Sequence, residues 1–457
     1  MSVRMDGEAI ARATGGRLLR DAPAGTISTD TRSIAPGSWF VALTGDRFDG
    51  HAFLEKAQAA GAAGCVVDRD PGPGWTGGVV VVDDTTKALG RIGAAARQAF
   101  AGPVVGLTGS SGKTTTRSLV ALAVSPLGPV HQTTGNLNNH IGVPLTLLAR
   151  PDDAAVMVVE MGTSGPGEIA YLADLARADV SLIVNVGPAH LEELGGLDGV
   201  AVEKGALFRA AGPGNTVCVN VDDPRVAAMP VPDGVRRLTW GRSGDVALVE
   251  ATIDPASLST TASWDTPAGR LTARIPAPGH HIAHNAAGAL CVAHALGVDL
   301  RAAAAALERY EPVGMRLRSE PLPHGGRALN DAYNANPASM EASLRLLASL
   351  PGRRAAVLGD MLELGPDEAA WHERVVALAH ELHLDHVVLV GPRMAAAAAA
   401  CPGCAAHADP ASAVEPLLDW LASGDGQDVV LFKGSRGARV ERVLAGLRGD
   451  DHPDGGH

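Results

Sequence analysis

The segment GLTGSSGKTTT at 106–116 constrains this chain more than any other stretch. It follows a short apolar run, 104–108, and its lysine and threonines open a helical pattern. A buried strand that turns through glycine straight into a helix belongs to a parallel sheet covered on both faces. Backbone N–H groups in such a turn point inward, and the helix N-terminus adds positive potential. The spacing therefore predicts that Thr108, Gly109, Ser110, Ser111, Gly112, Lys113, Thr114 and Thr115 wrap the phosphates of a nucleotide. Lys113 would reach the outer phosphates and Thr114 would bind Mg2+. Leu107 occupies the place where the general GxxxxGK[ST] form has its first glycine.

Apolar strands alternate with helical patterns along the rest of the chain, which predicts an α/β protein. At 457 residues it exceeds one ordinary core, and length suggests about three domains. The first domain, 1–101, has strands near 38–43, 65–67 and 79–82 and a helix at 84–100, broken by Ala101-Gly102-Pro103. The second, 102–312, carries the phosphate loop and strands near 104–108, 155–159, 181–186 and 216–221. It closes after an alanine-rich helix at 301–309. The third, 313–449, shows strands near 327–331, 355–359, 386–390 and 428–432. Residues 450–457 form a polar tail, predicted to be disordered.

A net charge of −12 argues against nucleic acid as a partner, while leaving room for a local anion site. The N-terminal residues lack the apolar core of a secretory signal, and no run approaches the length of a membrane span. Five cysteines are scattered, with only Cys401 and Cys404 close in sequence, so incidental thiols in a reducing, cytoplasmic compartment are expected. No heptad or long exposed strand demands a partner, and a monomer is expected. Of 38 basic residues only five are lysines: Lys56, Lys87, Lys113, Lys204 and Lys433. Where any positive charge suffices this sequence uses arginine, so a lysine hints that a primary amine is needed.

Three further residues stand out. Glu160 ends the apolar run AAVMVVE, where an acid can hold Mg2+ beside a nucleotide or can cap the next helix. His190 in NVGPAHLE follows a strand end, the place where α/β folds put ligands, although a lone histidine is often structural. Lys204 sits on a helical pattern among Ala, Gly and Leu. Buried there, its pKa would fall and its amine could take up CO2 as an anionic carbamate; at the surface it would simply snorkel.

The order of phosphate loop, TTGNLNNHIGVPLTLL (133–148), EMG, NVGPAHLE, EKG and NVDDP (220–224) resembles the Mur ligase family over nearly the whole chain. STDTRSIAPGSWFVALTGDRFDGHAFLEKAQAAGAAGCVV (28–67), NDAYNANPASMEASL (330–344), LGDMLELG (358–365) and FKGSRGARVE (432–441) carry the likeness into both flanking domains. The resemblance implies a central P-loop ATPase domain between an N-terminal UDP-binding domain and a C-terminal Rossmann-like domain. It implies ATP-dependent ligation of D-alanyl-D-alanine to UDP-N-acetylmuramoyl-tripeptide in peptidoglycan synthesis. Two Mg2+ ions are implied as cofactors, one held by Thr114 and Glu160, the other by His190 and a carbamylated Lys204. Asn285, Asp222, Arg316 and Asp331 would line the ATP site. Asp30, Thr31 and Arg32 would meet the UDP end of the substrate, and Thr134, Asn136 and Asn139 the muropeptide. Tyr333, Asn334, Asn336 and Lys433 would face the cleft from the third domain. Two positions depart from the family pattern: Ile282 in GHHIAHN replaces an asparagine expected at the adenine, and Ala206 stands near an expected glutamate.

Overall fold

A computed structural model of the chain describes residues 2–45, 48–323 and 325–450. The expectation for the tail falls, from 451 on, outside the described residues. Three main sheets follow one another along the chain. The first pairs Ile27–Ser28, Trp39–Val41, Gly64–Val67 and Gly78–Val81 in parallel, with Arg17–Arg20 antiparallel at one edge. The last runs Arg327–Asn330, Val429–Lys433, Arg354–Gly359, His386–Val390 and Ala405–His407 in parallel, with Arg318–Pro321 antiparallel at its edge.

Between them lies the sheet that builds the site. Val104–Thr108 pairs in parallel with Val156–Glu160 on one side and Val180–Ile183 on the other. Every residue of these three strands is buried, because helices cover both faces. Alternate side chains feed two cores. Val105, Leu107, Val158 and Leu182 meet helices Lys113–Val124 and His280–Ala295, whereas Val104, Met157, Val159 and Ile183 meet Glu168–Ala176 and Leu197–Arg209.

The structure corrects the sequence reading in two places. The middle sheet is longer than its parallel strands: Val246–Asp254, Ser259–Thr266 and Gly269–Ile275 extend it as an antiparallel meander. The alternation of Leu271, Ala273 and Ile275, buried among exposed neighbours, is the period-2 signal of such strands. The strand expected at 181–186 ends at Ile183, which frees residues 184–190 to loop back over the phosphate loop.

The first sheet is joined to the middle one through helix Thr85–Gln98, which crosses helix Gly142–Leu148 at close range. At the crossing, a Cβ on Gly93 would lie 2.8 Å from Pro144 Cα. Gly93→Ala therefore overpacks the crossing and should destabilise the protein by about 1–3 kcal/mol. A denaturation midpoint unchanged from wild type would show that the two helices separate freely.

Candidate active site

The phosphate loop forms as its spacing predicts. Gly112 takes φ 74°, the left-handed conformation that glycine adopts without strain, and Lys113 begins the helix. Leu107 is strand core, so the loop is tied down elsewhere. Thr108 Oγ1 donates to Met161 O at 2.8 Å, and Ser110 Oγ bonds with Gly187 at 2.9 Å. The Asn185 carboxamide Oδ1 accepts from the backbone of Ser110 at 3.1 Å and Ser111 at 3.0 Å. Thr115 is hydrogen-bonded to Tyr310. Asn285 lies against the loop, with its Nδ2 3.1 Å from where a Gly112 Cβ would stand.

Register puts Glu160 opposite Leu107, so its side chain emerges beside the first helical turn. Thr114 Oγ1 donates to Glu160 Oε2 at 3.0 Å, Arg117 Nη1 to the same oxygen at 3.1 Å, and Asn138 Nδ2 to Oε1 at 2.8 Å. The helix-cap alternative for Glu160 does not hold. That task belongs to Glu203, which accepts from the backbone of Gly167 and Ile169 at 2.7 Å each.

Two amines crowd this edge, and among the described residues neither forms an ion pair. Lys113 Nζ has one partner among the described residues, the Gly109 carbonyl at 2.8 Å. Lys204 is 2% exposed, and its amine has no hydrogen bond or ion pair among the described residues. Burial and then the Lys113 charge push the Lys204 pKa down to about 7, so its amine sheds its proton far more readily than an ordinary lysine. The surface alternative for Lys204 is thereby excluded. Burial also lowers the pKa of Lys113. His190 feels both amines, and its Nδ1 stands 2.6 Å from Glu363 Oε2 in the C-terminal part of the chain. Burial pushes its imidazole below the usual pKa against the pull of Glu363.

The remaining expected residues divide into those near this edge and those held in other networks. Arg316 lies over the Tyr333 ring at 3.8 Å, and its charge reaches Lys113 and Arg117. Lys433 Nζ donates to Asp331 Oδ2 at 2.6 Å and to Asn334 O at 3.3 Å. Asp222 accepts from the Arg242 backbone at 2.9 Å and pairs with His284 Nε2 at 2.9 Å. Thr134 and Asn136 are exposed on the loop after Val130–Gln132. The Asn139 side chain accepts from the backbone of Ile141 and Gly142, and Asn336 caps helix Pro337–Ala348 in a reciprocal capping box. Asp30 and Arg32 pair with each other at 2.8 Å, within the first sheet's part of the chain and apart from the phosphate loop. Ile282 is 3% exposed in the core beneath His280–Ala295, and Ala206 is core as well.

Sequence reasoning missed Arg117, Asn138, Asn185 and Glu363. A charged residue in TTTRSLVALAV, a helix otherwise heading into the core, was a usable signal for Arg117. Asn185, polar at the end of a strand, was another. Nothing local to Glu363 announces a partner 173 positions away, as His190 is.

Fold and loop together define a P-loop nucleotide-binding α/β protein, and comparison with known proteins gives the kind. Family models described as the Mur ligase middle domain, the Mur ligase glutamate ligase domain and the Mur ligase family catalytic domain match residues 107–293, 315–436 and 25–97. The UDP-N-acetylmuramoyl-tripeptide–D-alanyl-D-alanine ligase of Escherichia coli (strain K12) is 36% identical, covering 92% of this chain and 93% of that protein. A crystal structure of MurF from Acinetobacter baumannii superposes with a TM-score of 0.91 at 33% identity, covering 98% of this chain and 99% of that one. MurF ligase from Thermotoga maritima, solved in complex with ADP, gives a TM-score of 0.83 at 29% identity, covering 93% and 97%. The chain belongs to the Mur ligase family.

Lys204 yields a pH test with a definite sign. Its folded pKa of about 7 lies below the ordinary lysine value of 10.5, so the native state holds fewer protons than the unfolded chain between those limits. Stability from this group therefore rises with pH across that window, and the burial penalty is complete below pH 7. In CO2-free buffer, Lys204→Met should raise the melting temperature more at pH 6 than at pH 9. Equal shifts at both pH values would mean that the amine is not desolvated.

Proposed function

We propose that this protein joins D-alanyl-D-alanine to UDP-N-acetylmuramoyl-tripeptide at the expense of ATP, giving UDP-N-acetylmuramoyl-pentapeptide, ADP and phosphate in peptidoglycan synthesis. The observation that carries this reading is the reach of the likeness. At 36% identity it extends over 92% of the chain, into the flanking units as well as the ATP-binding sheet. In this reading 1–101 holds the UDP end of the substrate, 102–312 binds ATP, and 313–449 presents the incoming dipeptide. The protein works as a monomer in the cytoplasm. Among the described residues no helix is long and apolar enough to cross a membrane.

The residues fit a triphosphate with magnesium. Lys113 has no ion pair among the described residues, and a polyanion would offset both its charge and its repulsion with Lys204. Thr114 and Glu160 already touch, and both offer the oxygen that magnesium prefers. In this reading phosphate oxygens, water and a Lys204 carbamate would supply the further ligands. Thr114 and Glu160 would hold one ion, and His190 with carbamylated Lys204 the second. His190 would then leave Glu363 or use its Nε2. Magnesium, when bound, neutralises charge on the phosphoryl oxygens.

The terminal carboxylate of the tripeptide attacks the γ-phosphorus, a new O–P bond forms, and the bond to ADP breaks. The free amine of D-alanyl-D-alanine then attacks the acyl carbon, phosphate leaves, and the amine proton passes to solvent. Lys113 stabilises charge on the transferring group, and the amides of the glycine loop orient it. Thr134, Asn136 and Asn139 orient the muropeptide, with Asp30, Thr31 and Arg32 on its uridine diphosphate. Asn285 and Asp222 flank the adenosine, while Arg316, Asp331, Tyr333, Asn334, Asn336 and Lys433 close the cleft from the third unit. Water must be kept from the acyl phosphate, which favours closure of that unit over the nucleotide.

With UDP-tripeptide and ATP, phosphate release should depend on D-alanyl-D-alanine among a panel including diaminopimelate, lysine and glutamate. Release with glutamate and not with the dipeptide would assign a different ligase. Lys204→Arg should lose about 100-fold in kcat although charge is kept, because a guanidinium forms no carbamate. Short-chain carboxylic acids should partly restore Lys204→Ala. Near wild-type turnover of Lys204→Arg at ambient CO2 would rule out the carbamate.

A further inference from the structure

We propose that Arg117 is a positioning residue for this reaction, holding the Glu160 carboxylate beside Thr114 and tying it to the loop at 133–139. The inference rests on the reading of Glu160 as a magnesium ligand. Arg117 lies three residues after Thr114, on the same face of the phosphate-loop helix. It is 3% exposed, and its ion pair with Glu160 is closed to water on both sides, with side chains 4% and 2% exposed. The same Nη1 that reaches Glu160 at 3.1 Å also donates to Gly135 O at 3.3 Å. Gly135, in the left-handed conformation at φ 56°, is next to Asn136 in the loop proposed for the muropeptide.

Three donors fix the Glu160 carboxylate, and they are not equivalent. The Thr114 hydroxyl has lone pairs and can itself turn to a cation. The nitrogens of Arg117 and Asn138 that face Glu160 offer only hydrogen, so they remain as the outer partners of the carboxylate once a cation is bound. Packing alone does not account for Arg117. Its Nε–H is buried with no acceptor among the described residues, and an apolar side chain of similar length would fill this place between helix and sheet without that penalty. One guanidinium thus sets both the carboxylate at the nucleotide and the backbone next to the acid substrate, so the two reactants are placed relative to each other.

The test is ADP binding by titration calorimetry, with and without Mg2+, for wild type, Arg117→Met, Arg117→Lys and Glu160→Gln. Arg117→Met should lose about 10-fold or more of the affinity gained from Mg2+, with metal-free ADP binding within about twofold of wild type. Arg117→Lys should recover most of the gain, since an ammonium can serve both acceptors. In turnover, Arg117→Met should lower kcat and raise the KM for the UDP-tripeptide together. Should Arg117→Met fail to fold, Arg117→Leu, which also removes the donors, is read in its place. A wild-type Mg2+ gain in the uncharged variant, with the gain lost in Glu160→Gln, overturns the role of Arg117 alone. An equal loss of ADP affinity with and without Mg2+ also overturns it, because that is what a merely structural residue would show. A full Mg2+ gain in Glu160→Gln removes Glu160 as a ligand and this inference with it.

Discussion

The site depends on the parallel pairing of Val104–Thr108 with its two neighbours. Glu160 is opposite Leu107 and Ile183 is opposite Thr108, so three strands end at one level. The phosphate loop, the Glu160 carboxylate and the 184–190 loop consequently issue from the same edge. Backbone hydrogen bonds fix this arrangement before any side chain contributes. A slip of one residue in the Val156–Glu160 strand would turn Glu160 to the other face of the sheet, away from Thr114. The two cores, fed by alternate residues of the same strands, oppose such a slip because it would exchange every side chain between them.

Electrostatically the edge is unbalanced in its own side chains. Glu160 is committed to Arg117, and that leaves Lys113 leaning on a carbonyl and Lys204 without a hydrogen bond or ion pair among the described residues. Burying an amine in this way lowers stability, and the chain accepts the loss where it positions chemistry. A polyanion entering here gains twice, from the amides of the loop and from cations that water does not screen. The same desolvation that depresses the Lys204 pKa makes its neutral amine available to react.

Much of this was legible in the sequence because local chemistry carried it. The strand at 104–108, the helix starting at Lys113 and the acid ending the strand at 160 are each written in contiguous residues. The burial of Lys204 was legible too, from its place among Ala, Gly and Leu on a helical pattern. What escaped the reading is tertiary. The meander at 246–275 has faces so unequally buried that its strands lack the continuous apolar runs of the others. Asn138 and Arg117 converge on Glu160 from separate segments, and the His190–Glu363 contact crosses between sheets. Asn336, read from a motif as facing the cleft, also caps helix Pro337–Ala348, a task that its position before Pro337 signals.

The uneven use of lysine has a practical corollary. Lys204 and Lys433 are each 2% exposed, and Lys113 is held within its loop, whereas Lys56 and Lys87 are exposed. Arginine carries nearly all the remaining positive surface and is inert to common acylating reagents. Coupling through side-chain amines, to a dye or to a solid support, is therefore confined in the folded protein to the part that precedes the phosphate loop. Immobilised in this way, the molecule would be tethered at one end, with its nucleotide edge and the sheet beyond it left unencumbered.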